Sequence, residues 1–163
     1  MLKFIIGIAL IGFTTFCGHL LAGKYRKRKC FFAQFREFND RYLSEISYLK
    51  RPIEGFIAAY SYQGEFDHLL QEFFIWLRDD AFSNNGLEWD GEGLLTVDEK
   101  QLVSDYFLML GKGDSLSQKN YFSSLKDRLI KVESETNNEA KRYEDLYIKL
   151  GFLCGLFVLI LLV

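Results

Sequence analysis

The sequence is poor in the residues that build metal and redox sites, with 3 cysteines and 2 histidines among 163 residues. Cys17 and Cys154 lie in two apolar stretches and Cys30 stands alone, so neither a disulfide framework nor a zinc ligand set is spelled out. His19 falls inside an apolar run and His68 inside a helical pattern without a Cys or His partner, which favours structural roles for both. Nucleotide and acyl-transfer motifs are missing too. No G-x-x-x-x-G-K-[ST] loop, G-x-S-x-G elbow or H-E-x-x-H occurs, and the GKG at Gly111 follows a predicted helix where a strand is required. The expectation is a non-enzymatic protein with no catalytic residue, no cofactor and no resident metal. The formal net charge of -2 leaves no general basic excess, which argues against nucleic acid as a partner.

Proline is represented only by Pro52, so helices can run long with one enforced break. What the chain has in quantity is apolar sequence, unevenly placed. Phe4 to Ala22 is an uncharged run of 19 residues, about 28 Å as a helix and long enough to cross a bilayer. Leu150 to Val163 is a second uncharged run, about 21 Å as a helix, which Tyr147 and Ile148 extend if Lys149 snorkels to the headgroups. The first run has the order of a signal peptide but is too long, and no small residue precedes Cys17 as a lipobox needs. The expected domains are a transmembrane helix over 1–23, a cytoplasmic helical domain over 24–149 and a short transmembrane helix over 150–163.

Orientation follows from charge. Lys24, Arg26, Lys27, Arg28 and Lys29 stand directly after the first run, against Lys3 and the amino terminus before it. The positive-inside bias then holds the central domain in the cytoplasm and the amino terminus outside, and Lys141, Arg142 and Lys149 ahead of the second run give the same answer. Small residues recur at helical spacing in both runs: Thr14, Gly18 and Ala22 in the first, Gly151 and Gly155 in the second. Such stripes let helix backbones approach closely, within one chain or between subunits.

Between the runs the periodicity is helical. Phe31, Phe35, Phe38, Tyr42, Ile46 and Leu49 form one stripe that ends at Pro52, which can open a short helix through about Tyr60. Phe66, Leu69, Leu70, Phe73 and Leu77 form another, ending near Arg78. Asp79 to Leu95 reads as a loop rich in Gly, Asn and Ser. Val97 to Leu110 is the next helix, opened by a Thr96/Glu99 capping box and closed by Gly111, with Leu102, Tyr106, Met109 and Leu110 toward the core. Ser115 and Gln118 suggest a second capping box. The helix it opens can run without Gly or Pro to Gly151, with a stripe from Phe122 through Leu125, Leu129, Val132, Thr136, Tyr143 and Tyr147 to Leu150 and a bend or fraying expected near Asn137 and Asn138.

From Gly64 to Glu99 the chain has ten carboxylates, among them Glu65, Asp67, Glu72, Asp79 and Asp80, against the single Arg78. Such a surface attracts a basic partner. Glu88, Asp90, Glu92, Gly93 and Glu99 also imitate the spacing of a calcium loop, though Glu at the first and fifth positions is too long and no helix can enter. A membrane-anchored regulator or sensor whose acidic loop binds calcium or a basic ligand is therefore the alternative functional reading.

Three segments resemble the stage III sporulation protein AB family. Tyr147, Leu150, Gly151, Phe152, Leu153, Gly155 and Leu156 stand in a Y-x-x-L-G-F-L-C-G-L ending. Leu110, Gly111, Asp114 and Gln118 match L-G-x-x-D-x-x-x-Q, and Leu43, Glu45, Ile46, Tyr48, Pro52 and Ile53 match L-x-x-E-I-x-Y-x-x-x-P-[IL]. The matches thin out over 64–95. The resemblance implies a mother-cell membrane protein of the channel to the forespore, in the outer forespore membrane. Its helical domain would be similar to the platform proteins of type II secretion and type IV pilus systems. The implied partners are a cytoplasmic hexameric ATPase like stage III sporulation protein AA, other channel membrane proteins and the bilayer, and the small-residue stripes leave further copies of the chain as another partner. The resemblance supplies no catalytic residues.

Overall fold

The computed structural model describes residues 2–49, 52–78, 89 and 93–162, with the side chains of 2–7, Leu49 and Leu162 outside the description. The described residues are all-helical, without strands: α1 (Leu2–Leu21), α2 (Gly23–Ser44), a π-helical turn (Glu45–Leu49), α3 (Ile53–Ala58), α4 (Glu65–Arg78), α5 (Val97–Met109) and α6 (Ser115–Leu162). The chain divides into two compact units, one of Met1–Lys29 with Ser134–Val163 and one of Cys30–Glu133.

The second unit is a helical bundle around an aromatic core. Phe31, Phe32, Phe35, Phe38, Phe56, Phe66, Phe73, Phe107 and Phe122 are all fully buried. Tyr106 sits among them, its ring 4.7 Å from those of Phe35 and Phe122, and Phe73 meets Phe107 at 4.8 Å. Edge-to-face and tilted contacts of this kind add about 0.5–1.5 kcal/mol per pair beyond the area they bury. The four- and three-residue spacing along α2 aims Phe31, Phe35, Phe38 and Tyr42 at one face, and Phe32 widens it. In α5 the inward face is Leu102, Val103, Tyr106, Phe107 and Leu110. Met109, expected inside, is 42% exposed because Phe107 takes the neighbouring core position.

Polar side chains also enter this interior, Asn39 most deeply among the described residues. Asn39 is fully buried, accepts from the Tyr106 hydroxyl at 3.1 Å and donates to the Phe122 carbonyl at 3.4 Å, so α2, α5 and α6 are tied at one point. Asn39→Ala strands the Tyr106 hydroxyl in an apolar core, and a loss of about 1–3 kcal/mol in chemical denaturation is expected. Burial also holds the Tyr106 phenol well above its ordinary pKa, and raises those of Tyr42, Tyr62 and Tyr121. A raised folded-state value means that the unfolded chain releases its proton first. The contribution of these tyrosines to stability should therefore be constant below about pH 10 and fall as pH rises above it, as the alkaline arm of a pH series of melts would record.

Helix ends show where local chemistry decides. The Thr96/Glu99 capping box is complete: the Thr96 hydroxyl accepts from the Glu99 amide and the Glu99 carboxylate accepts from the Thr96 amide at 2.9 Å. The Ser115/Gln118 box does not form. Asp114 caps α6 instead, accepting from the amides of Leu116 and Ser117 at 3.2 and 3.3 Å, and hydrogen bonding from the Ser117 side chain, ahead of these amides, holds its carboxyl below the usual range. Gln118 reaches back to donate to the Lys112 carbonyl at 3.0 Å. Pro52 is the residue before α3 rather than its first, in extended conformation at ψ 146°. The π-helical turn ahead of it is absent from the apolar spacing, which does not distinguish one extra residue per turn.

The fraying expected near Asn137 and Asn138 is not seen, since α6 continues through both as helix. Arginines of α2 satisfy the carboxylates there: in the second unit Arg36 pairs with Glu133 at 2.5 Å, and in the first Arg28 pairs with Glu139 at 2.5 Å. Thr136 and Ala140 are buried, so the segment has an inward face despite its polar composition.

Candidate functional site

The first unit pairs α1 with the carboxyl-terminal part of α6 through small residues. A Cβ at Gly18 would meet the Tyr147 carbonyl oxygen, one at Gly151 would lie 2.5 Å from the Thr14 carbonyl oxygen, and one at Gly155 would lie 2.6 Å from the Thr14 hydroxyl and 2.7 Å from the Ile11 Cα. Contacts that run down one helix as they run up the other make the pair antiparallel. Ala22 is fully buried at the end of the same stripe. Thr14 satisfies its own hydroxyl on the Leu10 and Ile11 carbonyls, at 3.0 and 3.1 Å, so the contact holds no stranded polar group. The large apolar side chains point the other way: Phe13 is 65% exposed and Phe157 64%, with Phe16, Leu20, Leu153 and Ile160 similarly placed. Among the described residues no helix is long and apolar enough to cross a membrane. The opening of the run Phe4–Ala22 has its side chains outside the description.

Below the stripe the basic cluster is interlocked with α6. Arg26 donates to His19 Nε2 at 2.8 Å and lies 3.6 Å from Glu144. Arginine has no acceptor, so that ring nitrogen accepts and bears no proton. Arg28 holds Glu139, while Lys24 and Lys27 are exposed and Lys29 is half-buried. Tyr25 stacks on Tyr143 at 4.2 Å, with Tyr147 6.2 Å away. The sequence reading missed Tyr25 because its neighbours are all cationic. An aromatic amid charges beside an apolar run was the available signal.

In the second unit two cavities are built from described residues. The smaller, about 260 Å³, lies where the π-helical turn, the start of α3 and the α5–α6 turn meet. Glu45, Ile46, Pro52, Ile53, Gly111 and Gln118 line it, so two of the three family-like segments converge there. Tyr42 joins them, its hydroxyl donating to Gln118 Oε1 at 2.7 Å and accepting from the Gly111 amide at 3.3 Å. Gly111 has φ +76°, which its lack of a Cβ permits. These segments therefore have a local folding role, while Tyr48 is 85% exposed and packs outward.

The larger cavity, about 420 Å³, is a groove between α3 and α4. Ile57, Ala58, Tyr60, Leu70, Phe74 and Ile75 form its apolar wall, and Asp67 and Gln71 its polar side. Of the acidic residues singled out from the sequence, Asp67 faces this groove, Glu65 and Glu72 lie on the same helix, and Asp79 and Asp80 fall outside the described residues. The calcium-like spacing is broken at its last position, where Glu99 serves the capping box. Glu88, Asp90 and Glu92 are outside the description, and among the described residues no group of His, Cys, Asp or Glu could hold a metal ion.

Comparison with known proteins adds one match. The family model described as stage III sporulation protein AB covers residues 3–163, running also through 64–95 where the family-like segments thin out. No curated protein and no solved structure matches. With all but the first two residues of the chain covered, the chain belongs to the stage III sporulation protein AB family and has a role in sporulation.

Proposed function

We propose that the chain is a non-enzymatic assembly platform of the channel between mother cell and forespore. It is anchored in the outer forespore membrane by α1 and the end of α6, with its helical bundle in the mother-cell cytoplasm coupling a secretion-type hexameric ATPase to the membrane complex. The observation that carries the reading is the inverted packing of the first unit. Glycine, alanine and threonine face inward between α1 and α6, and phenylalanine and leucine face outward. Water would drive the opposite arrangement, at about 25 cal/mol per Å² of apolar surface left exposed. Lipid removes that cost and leaves close backbone packing as the force between helices.

The boundary of the apolar zone supports the same reading. The stacked Tyr25 and Tyr143, with Tyr147, form the amphipathic belt that an interface favours, and Tyr25 stands within the basic cluster itself. The coupling role rests on family membership and on the acidic surface of α4, which suits a basic partner. Co-purification from sporulating cells tests it. The ATPase is expected to travel with the full-length protein in mild detergent, and its absence after crosslinking would remove the coupling role.

A further inference from the structure

We infer that the first unit binds an anionic phospholipid, with the headgroup phosphate on Lys24 and Arg142 and the acyl chains along the apolar faces of α1 and α6. The inference rests on the membrane anchoring of the platform reading, and adds the lipid class which that anchor prefers. Its apolar half comes from helical register. Phe13, Phe16 and Leu20 are exposed on α1 at steps of three and four, and Lys24 and Lys27, both exposed, follow at steps of four and three. The chain stays helical across the junction, because the Ala22 and Arg26 amides donate to the Gly18 and Ala22 carbonyls. One face therefore passes from rings and leucine to ammonium groups. The end of α6 repeats the arrangement, with Phe157, Leu153, Leu150 and Leu146 exposed on one face and exposed Arg142 ending it. Tyr25 stacks on Tyr143 at 4.2 Å, so Lys24 and Arg142, each next to one of these rings in sequence, stand at one level.

Charge sets the headgroup. The segments 24–29 and 134–149 have eight Lys and Arg against four Asp and Glu, in a chain whose net charge is -2. Three of those carboxylates already have a cation, since Arg26, Arg28 and Lys149 turn to Glu144, Glu139 and Asp145. Lysine and arginine beside an anionic leaflet are attracted to it over about a Debye length, and a phosphate diester accepts from guanidinium and ammonium donors alike. A zwitterionic headgroup brings its own cation to the same place and gains less. An acidic peptide or a nucleic acid would cover the cations alone and leave Leu20 and Leu146, one turn below them, in water. Only an occupant with an anionic head and an apolar body matches the whole stripe.

The test reconstitutes the full-length chain in vesicles of equal parts phosphatidylcholine and phosphatidylglycerol and counts the lipids that stay bound, by native mass spectrometry after transfer to mild detergent. Phosphatidylglycerol is expected in excess, and Lys24→Gln with Arg142→Gln should lower that excess roughly tenfold. The same charge change at exposed Lys119 and Arg128 of α6 should leave it intact, and melting curves verify that both double variants fold. Equal retention of the two lipids, an equal loss in both double variants, release of the lipid by inorganic phosphate, or its displacement by a polyglutamate peptide overturns the inference. Extraction with alkaline carbonate separates the two levels. A chain stripped from the vesicles removes the anchor and this inference with it. A chain that resists extraction and retains the two lipids equally leaves the anchor and removes this inference alone.

Discussion

Replacing Gly151 with leucine is expected to separate α1 from α6 and to abolish sporulation, whereas Gly12→Leu should leave both untouched. The contrast follows from geometry. A Cβ at Gly151 would lie 2.5 Å from the Thr14 carbonyl oxygen and 3.0 Å from the Thr15 Cα, while one at Gly12 meets nothing within 4 Å. Backbone atoms cannot rotate aside as a side chain can, so the two helices must move apart. Overpacking in a close contact costs about 1–3 kcal/mol, and the further bulk of leucine also removes the neighbouring contact at Gly155. The check is thermal melting of the detergent-solubilised protein together with its abundance in cells. If Gly151→Leu melts and accumulates like Gly12→Leu, the packing described for the first unit is wrong. If Gly12→Leu were the more damaging, the apolar face would be misassigned.

Phe38→Ala is expected to cost the second unit about 3–5 kcal/mol, a large share of the about 5–15 kcal/mol that holds a domain folded. Phe38 is fully buried. The rings of Tyr42, Phe56, Tyr62, Phe66, Tyr106 and Phe107 surround it at 5.2 to 6.4 Å. Rings are planar and poorly able to collapse into the space one of them leaves, so most of the cavity should persist. Denaturant titration followed by tyrosine and tryptophan fluorescence measures the loss. A change below about 1.5 kcal/mol would show that the core repacks and that the aromatic cluster is less constrained than its contacts imply. Phe13→Ala is the matching control, since Phe13 faces outward and its loss should not affect the second unit.

Both effects were legible in part from the residues alone. The stripe of Phe31, Phe35, Phe38 and Tyr42 repeats every three or four positions, and burying it is the only way to keep those rings from water. The Gly151/Gly155 step likewise announces a close approach, but not which helix approaches. That required the partner residues Thr14 and Ile11 in space. Other features depend on contacts between distant segments. Asn39 reads as a surface residue of a polar helix until Tyr106, 67 positions away, supplies its partner. The continuity of α6 through Asn137 was hidden for the same reason, because Arg28 and Arg36 lie about a hundred residues upstream of the carboxylates they hold. The groove between α3 and α4 has no sequence signature, since it is the space two helices leave rather than a pattern in either. Met109 and the Ser115 cap were misplaced by one or two positions, which is the precision of periodicity at a helix end.

The membrane orientation is what the platform reading depends on, and the native Cys30 reports it. Cys30 is exposed and directly follows the basic cluster. With Cys17 and Cys154 replaced by alanine, a membrane-impermeant maleimide applied to vegetative cells expressing the chain should leave Cys30 unlabelled until the cells are permeabilised, and then label it fully. Labelling in intact cells would place the helical bundle outside, away from any ATPase, and would contradict the account.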